Sequence, residues 1–505
     1  MHALRRIRLI ASLLALGAPI PLMGQTVLSK GQRVPLMGPA ADRSAVRAPD
    51  ELKSPTIWVG GLTTHDPSRF DYRGLADTSQ QNEFCCDQRH LGLVLVEVGT
   101  AMVIPWYFNR FASDDSTAVL SLESWGRNIR EGFEWDHDNF KTNMFAHPIH
   151  GNLYFNAGRS NGYNFWESAA WAWGGSFMWE LFGENNRPAI NDWIATAVGG
   201  IAIGEIFHRT SRTIWDNSAT GTERALREIG GFIINPMGGA SRLFRGEMVK
   251  VGENPEDRYP GSVQSYLRGG WRYVSEGGGA DASNGSTFQF GFGYGDPFEE
   301  YEKPFEAFEL DASVYGKNED SSLGFVRIRA GLWGTEVAET SSAKHVFRIE
   351  QLFSYVNNRT IITGGSAVGA SFNSRWGLSD KWKLETRVAP GALLLWGTSS
   401  EYSDFTKREY DFGTGFGFVT GAFLKRDGRP VLGVDYSVTH QFTLNGAAGT
   451  HTNHLLFFNG NLPLFAGFGV GADYRYYVRV SKYRDFPDVN RKHSEVSGYV
   501  TWTLR

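Results

Sequence analysis

Apolar and polar residues alternate along the chain from Val263 to its end. The clearest stretch is Phe288–Tyr294, written FQFGFGY, in which every second residue is aromatic. Successive side chains of a β-strand point to opposite faces, so this period of two predicts strands rather than helices. An aromatic face needs a second protein layer or lipid to cover it, and no helical sequence follows that could supply the layer. The pattern therefore predicts an outer-membrane β-barrel.

The alternation divides into separate strands wherever Gly, Asn, Asp or Pro interrupts it. We predict about twelve strands, which start near residues 263, 286, 305, 323, 345, 361, 382, 409, 430, 451, 468 and 493. An even number lets the sheet close with both of its ends on the periplasmic side, and closure removes the unpaired edges that hydrocarbon does not tolerate. The alternative is a soluble β-sandwich or barrel with its aromatic side chains inward, because alternation alone does not say which face is which.

In the membrane interpretation the polar face of each strand lines the lumen. The charged residues that we expect there are Arg268, Arg272, Glu309, Asp311, Arg327, Arg329, Arg348, Glu350, Lys383, Glu385, Arg387, Asp435, Asp473, Arg475 and Arg479. They are either a salt-bridged interior that keeps charge out of the lipid or the lining of a selective pore. A lumen of this strand number is wide enough for a plug or a narrow channel.

The first residues predict export. Arg5, Arg6 and Arg8 precede the apolar stretch 9–22, and Gly24 is a small residue before a cleavage point, as in a secretory signal peptide. Residues 25–83 are rich in Pro, Gly, Ser and charge, which predicts a flexible periplasmic leader. No later apolar run reaches about 18 uncharged residues, so the sequence predicts no transmembrane helix.

Residues 84–245 are predicted to form a mainly helical domain, which precedes a predicted barrel at residues 260–505. The segments His90–Phe111, Asn164–Leu181 and Asn191–Arg209 are predicted helices, the first of them carrying Glu97 and ending near Pro105. Small residues, among them Gly200 and Gly204, would let two helices approach closely. The fold class is therefore α+β, with an N-terminal helical domain that plugs or caps a C-terminal antiparallel transmembrane barrel.

The net charge and the cysteine content limit the kinds of partner and ligand that the chain is expected to bind. The net charge of -4 gives no reason to expect nucleic acid. Cys85 and Cys86 are the only cysteines, and adjacent cysteines are a poor metal site, which leaves a structural pair or a redox role. The expected partners are outer-membrane lipid, the barrel-assembly machinery and a small-molecule or lipid ligand. No cofactor is identified.

Polar residues that an ordinary helical domain would not need are concentrated in 125–245. The candidate site residues are Asp136, Asp138, Asn143, His147, Tyr154, Arg159, Glu180, Glu184, Asp192, Glu205 and Arg209. Glu180 and Glu205 lie in apolar surroundings, where a carboxylate must be paired, hydrogen-bonded or bound to a metal. The candidate partners are Arg159, Arg209 and His147, or a bound cation. We therefore predict that Asp136, Asp138, His147, Glu180, Glu184 and Glu205 meet in space.

The order and spacing of these residues resemble the bacterial domain-of-unknown-function family 3943. The matching elements are Asp136-x-Asp138, Asn143, His147-Pro148-x-x-Gly151-x-x-Tyr154, Arg159, Glu180-x-x-Gly183-Glu184, Asp192, Gly204-Glu205, Arg209 and Asn235-Pro236. The resemblance covers roughly residues 125–245. It implies an envelope protein whose helical domain is often joined to a barrel, and it implies no activity.

Three hypotheses for the polar residues remain open at the level of sequence. They form a buried hydrogen-bonded network, a ligand-binding or gating site, or a metal-dependent or acid–base hydrolase site, with envelope lipid as one substrate class. Two carboxylates and a histidine suffice for hydrolysis. The sequence contains neither a His-Glu-x-x-His element nor a Gly-x-Ser-x-Gly elbow. From sequence we favour a barrel that binds or passes a small solute or lipid.

Overall fold

The structure is a computed structural model that describes residues 58–59, 62–63, 88–113, 115–255, 258–276, 282–316, 323–358 and 361–504. The predicted signal peptide, most of the predicted leader, and Cys85 and Cys86 lie outside these residues. Within the leader, Trp58–Val59 pairs antiparallel with Leu62–Thr63. The described residues from Gln88 onward belong to one compact unit.

Helices occupy the first part of that unit. They are α1 (Leu91–Tyr107), α2 (Leu122–Glu131), α3 (His147–Ser160), α4 (Phe165–Phe182), α5 (Ile190–Ile194), α6 (Gly200–Ile214), α7 (Gly221–Ile234) and α8 (Pro236–Phe244). Wider π-helical turns extend α1 at Phe108–Ala112, lead into α3 at Thr142–Ala146, and join α5 to α6 at Ala195–Gly199. The expected end of the first helix near Pro105 is wrong, since α1 includes Pro105 and continues into its π-helical turn.

Twelve antiparallel strands follow and close into a barrel. They are β1 (Val263–Glu276), β2 (Ser283–Tyr294), β3 (Phe308–Tyr315), β4 (Leu323–Glu339), β5 (Ala343–Asn357), β6 (Ile362–Gly377), β7 (Trp382–Ser399), β8 (Tyr410–Arg426), β9 (Arg429–Asn445), β10 (Gly449–Pro463), β11 (Phe468–Tyr483) and β12 (Val489–Leu504). Each strand pairs with the next, and β12 pairs with β1 from His493↔Glu276 to Leu504↔Ser265. The predicted fold class and strand number are confirmed. A short helix, Ser403–Thr406, lies between β7 and β8.

Side chains that bridge distant strands identify the inner face of the barrel. Arg329 on β4 and Asp435 on β9 form an ion pair at 3.1 Å, and Gln289 on β2 donates to Asp473 on β11 at 3.0 Å. Only side chains that point into the lumen can connect strands so far apart in the sheet. The residues between them in sequence therefore point outward, in accordance with the period of two.

The outward face carries many large apolar side chains, and it is covered only in part. Trp271, Phe288, Phe416 and Val500 are exposed on the outer wall. Elsewhere on the same face, Ile328 and Ala330 of β4 and Phe353 and Tyr355 of β5 are buried in one core with side chains of the helical region. The helical region therefore packs against the outside of the barrel.

This placement corrects the expectation that the helices form a plug or a cap. Phe145 lies against Tyr355 with ring centroids 4.7 Å apart, and Gln351 donates to the Val198 carbonyl at 2.9 Å. Both barrel residues are on the face opposite Glu350, which points into the lumen. Among the described residues, those that line the lumen cavities all belong to the barrel or its connections.

Among the described residues, two helical segments are long and apolar enough to cross a membrane by length and composition, namely Leu91–Ala112 and Ile190–Ile214. The sequence-based expectation of no such helix was too strict, because it required an uninterrupted uncharged run. Charged residues interrupt both segments, and among them the carboxylates of Glu97 and Glu205 are buried inside the protein.

Candidate functional site

The site forms where the connection before α3 meets the start of α5. Glu134 and Ala189 form a parallel bridge, with hydrogen bonds of 2.8 Å from the Glu134 amide to the Pro188 carbonyl and from the Ile190 amide to the Glu134 carbonyl. This short backbone pairing sets Asp136 beside Asn191. Asn191 donates to the Asp136 carboxylate at 2.5 Å, and the Asp136 amide donates back to Asn191 at 3.1 Å.

His147 brings the two acidic segments together. Its Nε2 atom lies 3.1 Å from Asp192 Oδ1 and 3.5 Å from Asp138 Oδ2. These three residues each offer one ligand atom, and the three atoms lie within 4.8 Å of one another. Asp192 is in the first turn of α5, where the helix dipole favours a carboxylate.

Two glutamates at the end of α4 complete the cluster. Glu180 is buried and accepts a hydrogen bond of 2.7 Å from the Ala189 amide. Glu184 accepts one of 3.1 Å from the Trp179 indole. The hydroxyl of Tyr154, which is wholly buried and interacts electrostatically with Glu180, has no hydrogen-bond partner among the described residues. We call Asp136, Asp138, His147, Glu180, Glu184 and Asp192 the acidic cluster.

Burial and the charges of neighbouring carboxylates make Asp136 and Glu184 costly to ionise. Burial raises the pKa of Asp136 to about 7, and the charge of Asp192 adds to the rise. Burial likewise raises the pKa of Glu184 to about 7, although the nearby His147 opposes the shift. The ion pairs seen with these carboxylates in the described part of the chain are those of His147 with Asp138 and Asp192. Five carboxylates therefore surround one imidazole.

Glu205 does not join the acidic cluster, contrary to expectation. Its carboxylate is held by Arg159 at 2.6 and 2.9 Å and by Arg209 at 2.8 Å. Arg209 also donates to the Pro304 carbonyl at 2.7 Å. These three candidate residues form a separate ion group, which ties α3 and α6 to the connection between β2 and β3.

Sequence reasoning missed the groups that support the cluster. Asn191 donates to Asp136, to Asp192 at 2.7 Å and to Asn143 at 3.1 Å. Asn143, which is a candidate residue, in turn donates to the hydroxyl of Tyr410 on the barrel at 3.1 Å. Asn191 could have been found as the neighbour of Asp192 at a helix start. No local signal in the sequence connects Tyr410 to the helical region.

The fifteen charged residues predicted for the lumen are on the inner face. Many form ion pairs there: Arg272 with Glu495 at 3.2 Å, Arg327 with Asp435 at 2.8 Å, and Arg348 and Arg387 with Glu350. Towards the rim where β1 begins and β12 ends, the lumen widens into a cavity of about 290 Å³. We call this cavity the vestibule. Its lining has eight basic side chains and four acidic ones: Arg268, Arg327, Arg329, Arg348, Arg375, Arg387, Lys425, Arg429, Asp296, Glu309, Asp311 and Glu385.

Comparison with known proteins bears on both parts of the chain. Residues 132–237 match the family described as Domain of unknown function (DUF3943), which confirms the resemblance found in the sequence. No curated protein matches the chain.

Porins and an outer-membrane channel are among the similar solved structures. The NanC porin is 9% identical, with 48% of this chain and 100% of that chain covered and a TM-score of 0.25. The channel DcaP of Acinetobacter baumannii is 9% identical, with coverage of 48% and 96% and a TM-score of 0.20. The KdgM porin, solved with disordered oligogalacturonate, is 9% identical, with coverage of 48% and 99% and a TM-score of 0.20.

Proposed function

We propose that this protein is an outer-membrane β-barrel whose helical region holds a divalent-metal site suited to metal-assisted hydrolysis. The membrane location is supported by the outer wall, where large apolar side chains such as Trp271, Phe288 and Phe416 are exposed over much of the circumference. A water-soluble protein rarely exposes such a continuous apolar surface. The predicted signal peptide, lipid contacts and assembly by the barrel machinery belong to the same proposal.

The observation that carries the metal site is the meeting of five carboxylates around the single imidazole of His147. Buried carboxylates that are not paired with a cation are strongly unfavourable, so a bound metal ion would stabilise the arrangement. Asp138, His147 and Asp192 are the residues that would hold it, because their ligand atoms already lie within 4.8 Å of one another. The mixed carboxylate and imidazole donors suit Zn, Mn or Fe.

The remaining members of the acidic cluster suit proton transfer. A bound divalent cation would supply Lewis acidity and lower the pKa of water. Asp136 and Glu184, each with a pKa of about 7, can take up or release a proton near neutral pH, as a general base or acid must. The buried Tyr154 hydroxyl near Glu180 is a further proton donor, and it has no hydrogen-bond partner among the described residues.

A hydrolysis assay tests this function. Full-length protein purified from outer membranes should cleave p-nitrophenyl esters or bis(p-nitrophenyl) phosphate, should lose that activity on chelation, and should regain it with Mn²⁺ or Zn²⁺. Asp192→Asn should abolish the activity. Glu97→Gln is the matched control, since Glu97 is equally buried but bonds to Ser241 and Asn161 elsewhere in the bundle. Activity that survives both chelation and Asp192→Asn would rule out the metal site as its source.

The vestibule favours a second function, the binding of an anionic solute in the barrel. Its basic side chains outnumber its acidic ones two to one, and the helical region does not fill it. The guanidinium carbon of Arg268 lies 4.2 Å from the Tyr266 ring centroid and 4.7 Å from that of Tyr499, so two aromatic rings hold this charge at the wall. Reversal potentials in a KCl gradient across planar bilayers should indicate anion preference, and Arg268→Gln should reduce it. Cation preference, or no conductance at all, would exclude passage of anions.

A further inference from the structure

We infer that the helical region is embedded in the same bilayer as the barrel, so that helices and strands cross the membrane side by side. The inference rests on the outer-membrane location proposed above. Lipid would then cover the outer surface of the helical bundle. No property of the metal site is used to reach it.

The bundle extends from one rim of the barrel to the other. One rim carries the β2–β3 connection. There the ring centroids of Phe165, at the start of α4, and Phe305 are 5.5 Å apart, and Arg209 near the end of α6 donates to the Pro304 carbonyl. At the opposite rim, where β8 begins, Arg408 donates to the Trp135 carbonyl at 2.9 Å. The helices therefore stand beside the wall over its height rather than above or below it.

The long segments have the length that crossing requires. Leu91–Ala112 has 22 residues and Ile190–Ile214 has 25. At about 1.5 Å per residue they reach roughly 33 and 38 Å, against about 30 Å for the hydrocarbon of a bilayer. The first segment starts beside the end of α3, where the His90 amide donates to the Asn161 carbonyl at 3.1 Å. The chain can thus pass up and down beside the wall in successive helices.

The outer surface of α1 is that of a lipid-facing helix. Its most apolar window has a mean hydropathy of 1.7 and is only 22% buried. The large side chains exposed on it and its π-helical extension are Leu91, Leu95, Val96, Val103, Tyr107 and Phe111. Glu97 is the one charged residue of α1, and it points inward to Asn161 and Ser241.

The exposed Thr100 side chain of α1 is satisfied within the helix. The Thr100 hydroxyl donates to the Val96 carbonyl at 2.8 Å. In water this bond would bring little, whereas in hydrocarbon an unsatisfied hydroxyl costs several kcal/mol. The same logic accounts for Glu97, since intramembrane carboxylates face the interior of a bundle and find partners there.

The bundle surface is also continuous with the wall that lipid would cover. On the outward face the buried Phe353 and Tyr355 mark the area under the helices, whereas Phe416 and Val500 are exposed beyond it. A bilayer that surrounds the barrel must therefore meet either the wall or the helices at every point of the circumference. An apolar helix surface at that position would contact lipid, as the exposed wall beside it would.

Spin-label accessibility tests the inference on the full-length protein in phospholipid vesicles. In a Cys85→Ser, Cys86→Ser background, single cysteines would replace Val96 or Val103 on α1. Phe416→Cys and Val500→Cys report the bare wall, and Asp485→Cys reports an exposed connection. Labels at Val96 and Val103 should collide readily with O₂ and rarely with Ni(II)EDDA, as at Phe416 and Val500.

Each other outcome overturns a different statement. If Val96 and Val103 collide with Ni(II)EDDA as often as Asp485, the helices lie in water and the inference is wrong. If they are shielded from both reagents, another protein surface covers α1, which also contradicts it. If Phe416 and Val500 themselves are accessible to Ni(II)EDDA, the outer-membrane location fails instead.

Discussion

Gln351 donates a hydrogen bond of 2.9 Å to the carbonyl of Val198. Gln351 lies on the outward face of β5, and Val198 belongs to the π-helical turn Ala195–Gly199. A π-helical turn disturbs the regular i→i+4 ladder and leaves a carbonyl available to other donors. The hydrogen bond thus gives the Gln351 side-chain amide an acceptor and gives the Val198 carbonyl a donor.

This bond predicts the effect of Gln351→Leu. The variant leaves the buried Val198 carbonyl without its donor, so the free energy of unfolding should fall by about 1 kcal/mol. The temperature at which the barrel loses its heat-modifiable mobility on gels measures the change. Phe416→Leu is the control, since Phe416 is exposed on the bare wall. An equal shift in both variants would contradict a specific role for the bond.

The contact between α3 and the segment from the π-helical turn into α6 depends on glycine. A Cβ atom on Gly200 would lie 2.5 Å from the Gly151 Cα, and one on Gly151 would overlap the Thr196 carbonyl. Because these neighbours are backbone atoms, they cannot move aside without separating the helices. Gly151→Ala and Gly200→Ala should each destabilise the protein by about 1–3 kcal/mol.

Gly99→Ala provides the matched control for these variants. A Cβ on Gly99, within α1, meets no atom within 4 Å, so alanine should leave stability unchanged or raise it slightly. Thermal unfolding of the three variants in one detergent compares them directly. Similar stability for all three would show that the helices are not in close contact at Gly151 and Gly200.

The alternation of apolar and polar residues allowed the barrel to be predicted from the sequence. In the structure the strands start within about four residues of the predicted positions. The position of the helices was not readable. Ile328 and Phe353 face protein while Phe416 faces outward without a cover, yet all three are large apolar residues on the same face. An apolar side chain suits a helix and a lipid tail equally well, so only the three-dimensional contacts separate the two.

The acidic cluster was partly predictable for a similar reason. Burial of a carboxylate in an apolar helix requires a partner, which correctly singled out both Glu180 and Glu205. The sequence offered Arg159, Arg209, His147 or a bound cation as partners but did not assign each to one glutamate. In the structure Arg159 and Arg209 reach Glu205 from two helices, whereas Glu180 faces other acids. Spacing along one helix does not fix which neighbouring helix supplies the counter-charge.

The separate ion group predicts a stability effect without a metal effect. Glu205→Gln leaves Arg159 and Arg209 without the carboxylate that both contact at 2.6–2.9 Å. Breaking a buried pair in this way should lower the free energy of unfolding by about 3 kcal/mol. Bound metal per folded molecule should remain at the wild-type level, and its loss would show that Glu205 belongs to the acidic cluster after all.

The stability of the metal-free protein should depend on pH through Glu184. Its pKa is raised in the folded state to about 7 from 4.5, so the folded protein binds more protons than the unfolded chain between these values. The resulting stability is present below about pH 4.5 and is lost as the pH rises through 7. Unfolding of chelated protein at pH 5 and pH 8 should show this loss, and Glu184→Gln should diminish it. A metal-free protein equally stable at both pH values would contradict the burial of these acids.

The metal content of the purified full-length protein tests the central claim most directly. Inductively coupled plasma mass spectrometry should find a stoichiometric divalent transition metal in the wild type and in Glu97→Gln. Asp138→Asn and Asp192→Asn should lose it while keeping the heat-modifiable mobility of a folded barrel. Wild-type protein that remains metal-free after incubation with Zn²⁺, Mn²⁺ and Fe²⁺, or folded Asp192→Asn that retains the metal, would contradict the account.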